Sequence, residues 1–255
     1  MGGGAANAGR PLNRTNVAAA IPAYHEEAHV CAVAERARAQ LDHVLVIDDG
    51  SGDGTAARAG EGGAEVIVHP QNFGKGEAIK AGLRYWLERP EIEFIVLLDS
   101  DGQHLPEEMG RFFAAAAATE GDLFIGTRMN DVRTMPFVRR TVNRYMSRRI
   151  SRLCGQEVPD TQCGYRMIHR AVVPHLLAGT SRFDYETEML FIASREGFRI
   201  VSVPISTIYS DEVSSIHPVR DTLRFLRLMR RYEKESSAGL TQPRRGREYS
   251  GTVRL

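Results

Sequence analysis

The sequence has 255 residues, 42% of them hydrophobic and 25% charged, with a formal net charge of +1. This length suffices for one substantial core, so we expect a single domain. The near-neutral charge excludes a globally basic nucleic-acid binder. Cys31, Cys154 and Cys163 form neither a CxxC pair nor a metal-ligand spacing, which is typical of a protein in a reducing cytosol.

Neither end of the chain is predicted to pack. Residues 1–15 lack the apolar core of a signal peptide, and residues 235–255 are polar and poor in large apolar side chains. We therefore expect a flexible N-terminus, one domain over residues 16–234 and a disordered tail. No run of 18 apolar residues occurs, so the chain is predicted to be soluble or to rest on a membrane surface.

Short apolar runs alternate with helix-like segments through the first half of the chain. Because every position in these runs is apolar, they indicate strands buried on both faces. The predicted strands are 17–21, 44–47, 66–68, 94–98 and 123–126. Helices are predicted over 26–40 and from Gly74 to Pro90. This alternation predicts an α/β fold, a Rossmann-like and mostly parallel sheet with helices on both faces, which binds ligands at the carboxyl ends of its strands.

The second half of the chain is more irregular and more basic. It contains predicted helices over 137–153, 184–197 and 217–234, and a predicted strand over 199–206. The window 128–152 holds eight arginines and one acid, a net charge of +7. Arginines interleaved with apolar residues are typical of a helix at a lipid headgroup boundary, and a solvated helix face is the alternative. The last predicted helix is also amphipathic and basic.

One acidic pair follows the apolar run FIVLL. Asp99 and Asp101 stand where two carboxylates can share one divalent ion, and Gln103 and His104 can add further ligands. Hard oxygen ligands favour Mg²⁺ or Mn²⁺. An isolated D-x-D pattern is more often a cap or a solvated turn, but its position directly after a buried strand favours the metal site.

A second acidic pair, Asp48 and Asp49, follows the strand VLVI. These residues either cap the glycine-rich loop or accept hydrogen bonds from a ribose or base. The segment NFGKGEAIK places Lys75 and Lys80 beside a helix start where anions can bind. Because the P-loop signature GxxxxGK[ST] is absent, the sequence favours a structural role for both lysines.

Seven motifs together resemble glycosyltransferase family 2, over about residues 16–230. They are IPAYHEE, VIDDGSGDGT, NFGKGEAIKAGL, LLDSDGQH, FIGTR, DTQCGYRM and VPI. DSDGQH in particular resembles the polyprenyl-phosphate (dolichyl-phosphate) mannose and glucose synthases. The resemblance implies a GT-A type fold and an inverting, Mg²⁺- or Mn²⁺-dependent hexosyltransferase. Its donor would be a GDP- or UDP-sugar and its acceptor a polyprenyl phosphate at the cytoplasmic face of the membrane, with the protein attached peripherally.

The resemblance also implies roles for individual residues. The nucleotide-sugar is assigned to Pro22, Tyr24, Glu26, Ile47, Asp49, Asp99, Ser100, Asp101 and Arg128. The metal is assigned to Asp99, Asp101 and Gln103, and phosphate binding to Arg128 and Arg139. The mannose synthases tend to have an Arg and a Lys after the late strand, whereas this chain has neither between Arg199 and Arg220. His217 and Arg220 are the predicted replacements, and the choice between GDP and UDP stays open.

Alternative functions follow from the same residues. A hydroxyl acceptor would need a carboxylate base, for which Asp184, Glu186 and Glu188 are candidates, although first-turn acids of a helix explain them equally well. Asp160 is placed on the acceptor side by the resemblance, or it holds its loop together. The predicted catalytic set is Asp99, Asp101, Arg128, Arg139, Asp160 and Glu188. A sugar nucleotidyltransferase is disfavoured because IPAYHEE lacks a glycine-rich basic loop, and a non-catalytic binding module is the last alternative.

Overall fold

The structure, a computed structural model, describes residues 11–128, 137–179, 185–206 and 232–233, with the backbone alone for 137–143. The strands are β1 Val17–Ala23, β2 His43–Asp48, β3 Glu65–Val68, β4 Phe94–Leu97, β5 Leu123–Thr127, β6 Arg166–His169 and β7 Ile200–Pro204. The α-helices are α1 Val30–Gln40, α2 Thr55–Glu61, α3 Lys75–Leu87, α4 Met109–Ala118, α5 Phe137–Cys154, α6 Val173–Leu177 and α7 Tyr185–Arg195. A short 3₁₀ helix spans Pro106–Glu108.

The strands form one seven-stranded sheet in the order β3-β2-β1-β4-β6-β5-β7. Neighbouring strands run parallel except where β6 pairs with β4 and β5. The predicted mostly parallel α/β sheet is therefore confirmed. Because Ala23 pairs with Asp48 and Ala20 pairs with Leu97, the carboxyl ends of β1, β2 and β4 lie side by side. The loops that follow these three strands meet at one edge of the sheet.

Helix α3 packs closely on β1 and β2. A Cβ at Gly82 would lie 2.8 Å from the Ala20 Cβ and 2.8 Å from the Ile47 Cδ1, so glycine permits this approach. The fully buried Trp86 donates its indole N–H to the carbonyl oxygen of Ala19 at 3.0 Å. These contacts fix α3 over the strands whose ends carry the predicted site.

Strand β6 is absent from the sequence prediction, which has a loop up to residue 166 and no strand between that loop and the predicted helix over 184–197. The segment RMIH has no continuous apolar run, and its first residue is a fully buried arginine. Arg166 donates to the carbonyl oxygens of Cys163, Thr161 and Glu186, which satisfies the guanidinium inside the protein. These partners come from two separate segments, so no local pattern indicates the strand.

Helix boundaries also differ from the prediction. The helix predicted from residue 26 begins at Val30, because His25 has a positive φ of 56° and residues 26–29 form a turn. The helix predicted over 217–234 and both predicted terminal segments lie outside the described residues, apart from 11–15 and 232–233. None of the helices in the described parts of the chain has a stretch long and nonpolar enough to span a bilayer.

Candidate active site

The end of β4 brings the first acidic pair next to a lysine and a glutamate. The Lys75 ammonium lies 2.6 Å from Oδ1 of Asp99 and 3.2 Å from Oε1 of Glu186. Asp101 accepts the backbone N–H of Gln103 at 2.9 Å. Lys75 is the first residue of α3 and Glu186 lies in the first turn of α7. Side chains from β4, α3 and α7 thus converge on one point.

The wall behind Asp99 is tightly packed. A Cβ at Gly164 would lie 2.6 Å from Oδ2 of Asp99, so only glycine leaves room for this carboxylate. The buried imidazole of His104 lies 3.7 Å from the same oxygen, with its Nε2 3.9 Å from Sγ of Cys163. Burial lowers the pKa of His104 despite the two nearby carboxylates. The loop 160–164 therefore fixes where Asp99 can stand.

The two carboxylates have opposite pKa shifts. Although burial raises the pKa of Asp99, the charges of Lys75, His104 and Arg128 lower it well below its usual range. The pKa of Asp101 is raised by burial and by repulsion from the Asp99 carboxylate. Asp99 is thus stabilised as an anion, while Asp101 carries a charge that the surrounding residues compensate only in part.

This arrangement fits a divalent cation that is shared with a bound substrate. Within the described residues, no group of three or more His, Cys, Asp and Glu side chains is arranged to hold a metal ion by itself. Mg²⁺ is usually bound by one or two carboxylates together with substrate phosphates. Asp99 and Asp101 supply the two carboxylates, and a cation between them would relieve their repulsion. These oxygen ligands suit a divalent cation. The metal-binding role of Asp99, Asp101 and Gln103 stays a prediction.

The second acidic pair has different surroundings. Asp49 is 2% exposed, and its carboxylate accepts hydrogen bonds from the backbone N–H groups of Phe73 at 3.0 Å and Gly74 at 2.7 Å. Its Oδ1 also lies 2.7 Å from Nδ1 of His69. Asp49 therefore holds the loop that leads into α3, and its predicted contact with a nucleotide stays a prediction.

The other residues predicted to bind the nucleotide lie around the same edge. Ser100 is buried and donates its hydroxyl to the carbonyl oxygen of Pro22 at 3.0 Å, which joins the ends of β4 and β1. Tyr24 is 45% exposed, so its ring is available to a ligand. The Glu26 carboxylate lies 3.2 Å from Nδ1 of His29. Ile47 is fully buried under α3, where its side chain contributes to the core.

Arg128 and Asp160 form a buried ion pair. The guanidinium donates from Nε to Oδ2 at 2.7 Å and from Nη2 to Oδ1 at 3.0 Å, and the Arg128 backbone N–H adds a third bond at 3.2 Å. The Asp160 side chain is fully buried. This two-pronged contact fixes the orientation of the guanidinium, whose charge contributes to lowering the pKa of Asp99.

The two described carboxylates of α7 have different partners. Glu188 is buried and accepts the hydroxyl of Tyr232 at 3.2 Å, and the Tyr232 ring stacks on Phe191 with centroids 4.1 Å apart. Glu186 is the one that reaches Lys75. Asp184, His217 and Arg220 lie outside the described residues, and Arg139 lies on α5 where only the backbone is described.

The sequence analysis favours a structural role for Lys75, and the structure adds that its ammonium lies at the acidic site. The sequence signal that could have predicted this position of Lys75 is the spacing between Asp49 and the glycine-flanked start of α3. Gly74 has a φ of 97°, a conformation that glycine adopts readily, and its N–H bonds to Asp49. This turn starts α3 at the sheet edge, from which its first side chain extends to Asp99.

Residues 19–177, more than half of the chain, match the family described as Glycosyl transferase family 2. The chain belongs to this family and is a glycosyltransferase. The family prediction is therefore confirmed.

Individual relatives are similar to this chain over about three quarters of its length. The polyprenol monophosphomannose synthase of Mycolicibacterium smegmatis is 31% identical over 211 residues, which cover 77% of this chain and 78% of that protein. The UDP-N-acetylglucosamine--dolichyl-phosphate N-acetylglucosaminyltransferase of Methanococcus voltae is 28% identical over 214 residues, which cover 75% of this chain and 85% of that protein. Both relatives are named for a phosphorylated polyprenol or dolichol.

A solved structure has the same fold. Glucosyl-3-phosphoglycerate synthase from Mycobacterium tuberculosis, in complex with Mg²⁺ and uridine diphosphate, matches with a TM-score of 0.63 and 20% identity. The match covers 89% of this chain and 81% of the other. The predicted GT-A type fold is confirmed.

Proposed function

We propose that this glycosyltransferase is an inverting, divalent-cation-dependent hexosyltransferase that uses a GDP- or UDP-sugar and a polyprenyl-phosphate acceptor. The observation that carries the proposal is the Asp99 and Asp101 pair at the carboxyl end of β4, with the cations of Lys75 and Arg128 near Asp99. Relatives named for polyprenol-phosphate and dolichyl-phosphate sugar transfer support the acceptor class.

In the proposed reaction, an oxygen of the acceptor phosphate attacks the anomeric carbon of the donor sugar. The bond between that carbon and the donor diphosphate breaks, and the nucleoside diphosphate leaves with the bonding electrons. One displacement of this kind inverts the anomeric configuration. Asp99, Asp101 and Gln103 would hold the divalent cation, which when bound neutralises charge on the leaving diphosphate. Arg128, held in place by Asp160, would orient a phosphate group.

The partners of the acidic residues favour a phosphate acceptor over a hydroxyl acceptor. A phosphate monoester has a second pKa of about 6 and is largely ionised at pH 7, so it needs no protein base. A hydroxyl would need a carboxylate within hydrogen-bond reach. Asp160 is bonded to Arg128, and Glu188 to Tyr232. Glu186 stands at the site beside Lys75, and it is the described residue that a hydroxyl-transfer reaction would use.

The basic helix α5 supports peripheral binding to an anionic membrane surface. A cavity of about 530 Å³ is lined by Tyr145, Arg148, Arg149, Arg152, Leu153 and Glu233. Tyr145 is 54% exposed, and an aromatic ring beside several arginines suits the headgroup region of a bilayer. Attachment of this kind weakens as salt is raised. We place the enzyme in the cytoplasm, at the inner face of the membrane.

The proposal is tested with a panel of radiolabelled donors, GDP-mannose, UDP-glucose, UDP-N-acetylglucosamine and UDP-galactose, with Mn²⁺ and a short polyprenyl phosphate. Label that enters the organic phase with one donor, and that Asp101→Asn abolishes, would support the proposal and identify the sugar. Release of nucleoside diphosphate without labelled lipid would reject the acceptor, and Glu186→Gln would then test hydroxyl transfer. No turnover of any donor would reject the donor class.

A further inference from the structure

Lys75 holds two carboxylates from different parts of the chain. Its ammonium lies 2.6 Å from Asp99 and 3.2 Å from Glu186, and its side chain is 35% exposed. Asp99 belongs to the pair that fits a divalent cation, whereas Glu186 belongs to α7. The ammonium therefore lies beside the carboxylate that a metal ion would need to contact.

We infer that Lys75 is a tethered cation that competes with the divalent ion for Asp99, and that Glu186 retains the ammonium when the ion displaces it. The inference rests on the proposed use of a divalent cation. Lys75 is a positioning residue in this account: it holds the acidic site together before the ion arrives.

The backbone around Lys75 is fixed while its side chain can move. Asp49 accepts the N–H groups of Phe73 and Gly74, so the first turn of α3 is anchored to β2. The lysine side chain has four methylene groups and a compact charged end, so it can reorient without moving the helix. Glu186 is anchored as well, because the guanidinium of Arg166 donates to its carbonyl oxygen.

Electrostatic repulsion opposes simultaneous contact of Asp99 with the Lys75 ammonium and with the divalent ion. An ammonium and a divalent ion that share one carboxylate stand a few ångströms apart and repel each other in a partly buried site. A divalent ion also compensates Asp101, which Lys75 leaves partly uncompensated. The ion therefore gains from displacing the ammonium, and Glu186 offers the displaced ammonium a contact 3.2 Å away in the present arrangement.

The test is the affinity for Mn²⁺ in the presence of GDP or UDP, measured from the electron paramagnetic resonance signal of free Mn²⁺ during titration of the full chain, against a protein-free titration at the same nucleotide concentration. Lys75→Met should tighten Mn²⁺ binding by about 5- to 150-fold, the usual range for coupling between two sites. Glu186→Gln should weaken binding, because the ammonium then has Asp99 as its main partner. In the Lys75→Met background, Glu186→Gln should change the affinity much less.

A matched control is available just beyond the other end of the same helix. Arg89, two residues beyond the end of α3, pairs with Glu65 at 3.3 Å. It lies 14 residues from Lys75, about 20 Å along a helix of that length. Arg89→Met removes one positive charge from an ion pair far from Asp99, so it should leave Mn²⁺ affinity unchanged. Every variant is measured on the monodisperse, folded fraction, with Lys75→Gln as the replacement if Lys75→Met does not fold.

The outcomes separate this inference from the proposed function. Asp101→Asn should abolish Mn²⁺ binding; if it does not, the proposed metal site is wrong and the inference is overturned with it. If binding depends on Asp101 but Lys75→Met leaves it unchanged or weakens it, the inference alone is overturned. Equal effects of Glu186→Gln with and without Lys75 would overturn the role of Glu186.

Discussion

The ends of β2 and β4 both carry acidic pairs, yet the protein surrounds the two pairs differently. Asp49 is almost fully buried and accepts two backbone N–H groups, and its Oδ1 also lies 2.7 Å from Nδ1 of His69. Asp99 is one quarter exposed and has the ammonium of Lys75 as its partner at 2.6 Å. Asp101 has a pKa that is raised by burial and by its neighbour.

The comparison separates an acidic strand end that builds a loop from one that, in our proposal, binds a ligand, and the separation depends on what compensates the charge. Backbone N–H groups cannot leave, so Asp49 is committed to the turn that starts α3. A lysine side chain can leave, so the charge at Asp99 remains available. Because α3 begins with Lys75, the turn that Asp49 anchors positions the partner of Asp99.

The largest expected effect is at β4. Asp101→Asn should lower glycosyl transfer by at least about 100-fold, because metal stabilisation of a leaving diphosphate is worth several kcal/mol and each 1.36 kcal/mol is tenfold in rate. The same variant should be as stable as the parent or more so, since it removes a carboxylate whose ionisation the fold disfavours. Initial rates and urea unfolding curves check both parts. A normal rate of glycosyl transfer would contradict the proposed difference between the two acidic pairs.

A smaller effect is expected at β2. Asp49→Asn should lower the free energy of unfolding by roughly 2 kcal/mol, because hydrogen bonds to a buried charged group are worth about 1.5–3 kcal/mol each and an amide can replace only some of them. Urea denaturation measures the change. Asp42→Asn, in an exposed pair with Arg14, is the matched control and should change stability by less than about 1 kcal/mol. Equal stability of the two variants would contradict a loop-building role.

The smallest expected effect concerns the accessibility of Cys163, in the loop that packs against Asp99. Burial raises the pKa of Cys163 to about 12, so at pH 8 its reactive thiolate is about one part in 10⁴. Iodoacetamide should therefore modify the half-buried Cys31 well before Cys163, and labelling of Cys163 should rise only as the pH approaches that pKa. Peptide mass spectrometry follows each site. Rapid labelling of Cys163 at pH 8 would show that this loop opens.

The sequence predicts the strands that position the site, because continuous apolar runs such as FIVLL leave no polar face for a helix or a surface strand. It misses β6, whose buried Arg166 depends on carbonyl groups of residues 161, 163 and 186. The carbonyl group of residue 186 reaches Arg166 only through the tertiary fold.

The site is predictable to a similar extent. The acidic pairs are visible from their position after strands, and so is Arg128 in FIGTR from the family resemblance. The sequence could not distinguish Asp49 from Asp99, since that difference depends on residues 20 or more positions away. For the same reason the contacts of Lys75 are not predicted: its partners lie 24 and 111 residues further along the chain.

The most direct test of the account is a crystal structure with Mn²⁺ and either GDP or UDP, with the ion located by its anomalous signal. We predict one peak at the end of β4, beside the carboxylates of Asp99 and Asp101 and the diphosphate, with the Asp49 hydrogen bonds to Phe73 and Gly74 intact. An ion held by Asp48 and Asp49, or a nucleotide bound with no ion at the end of β4, would contradict the account.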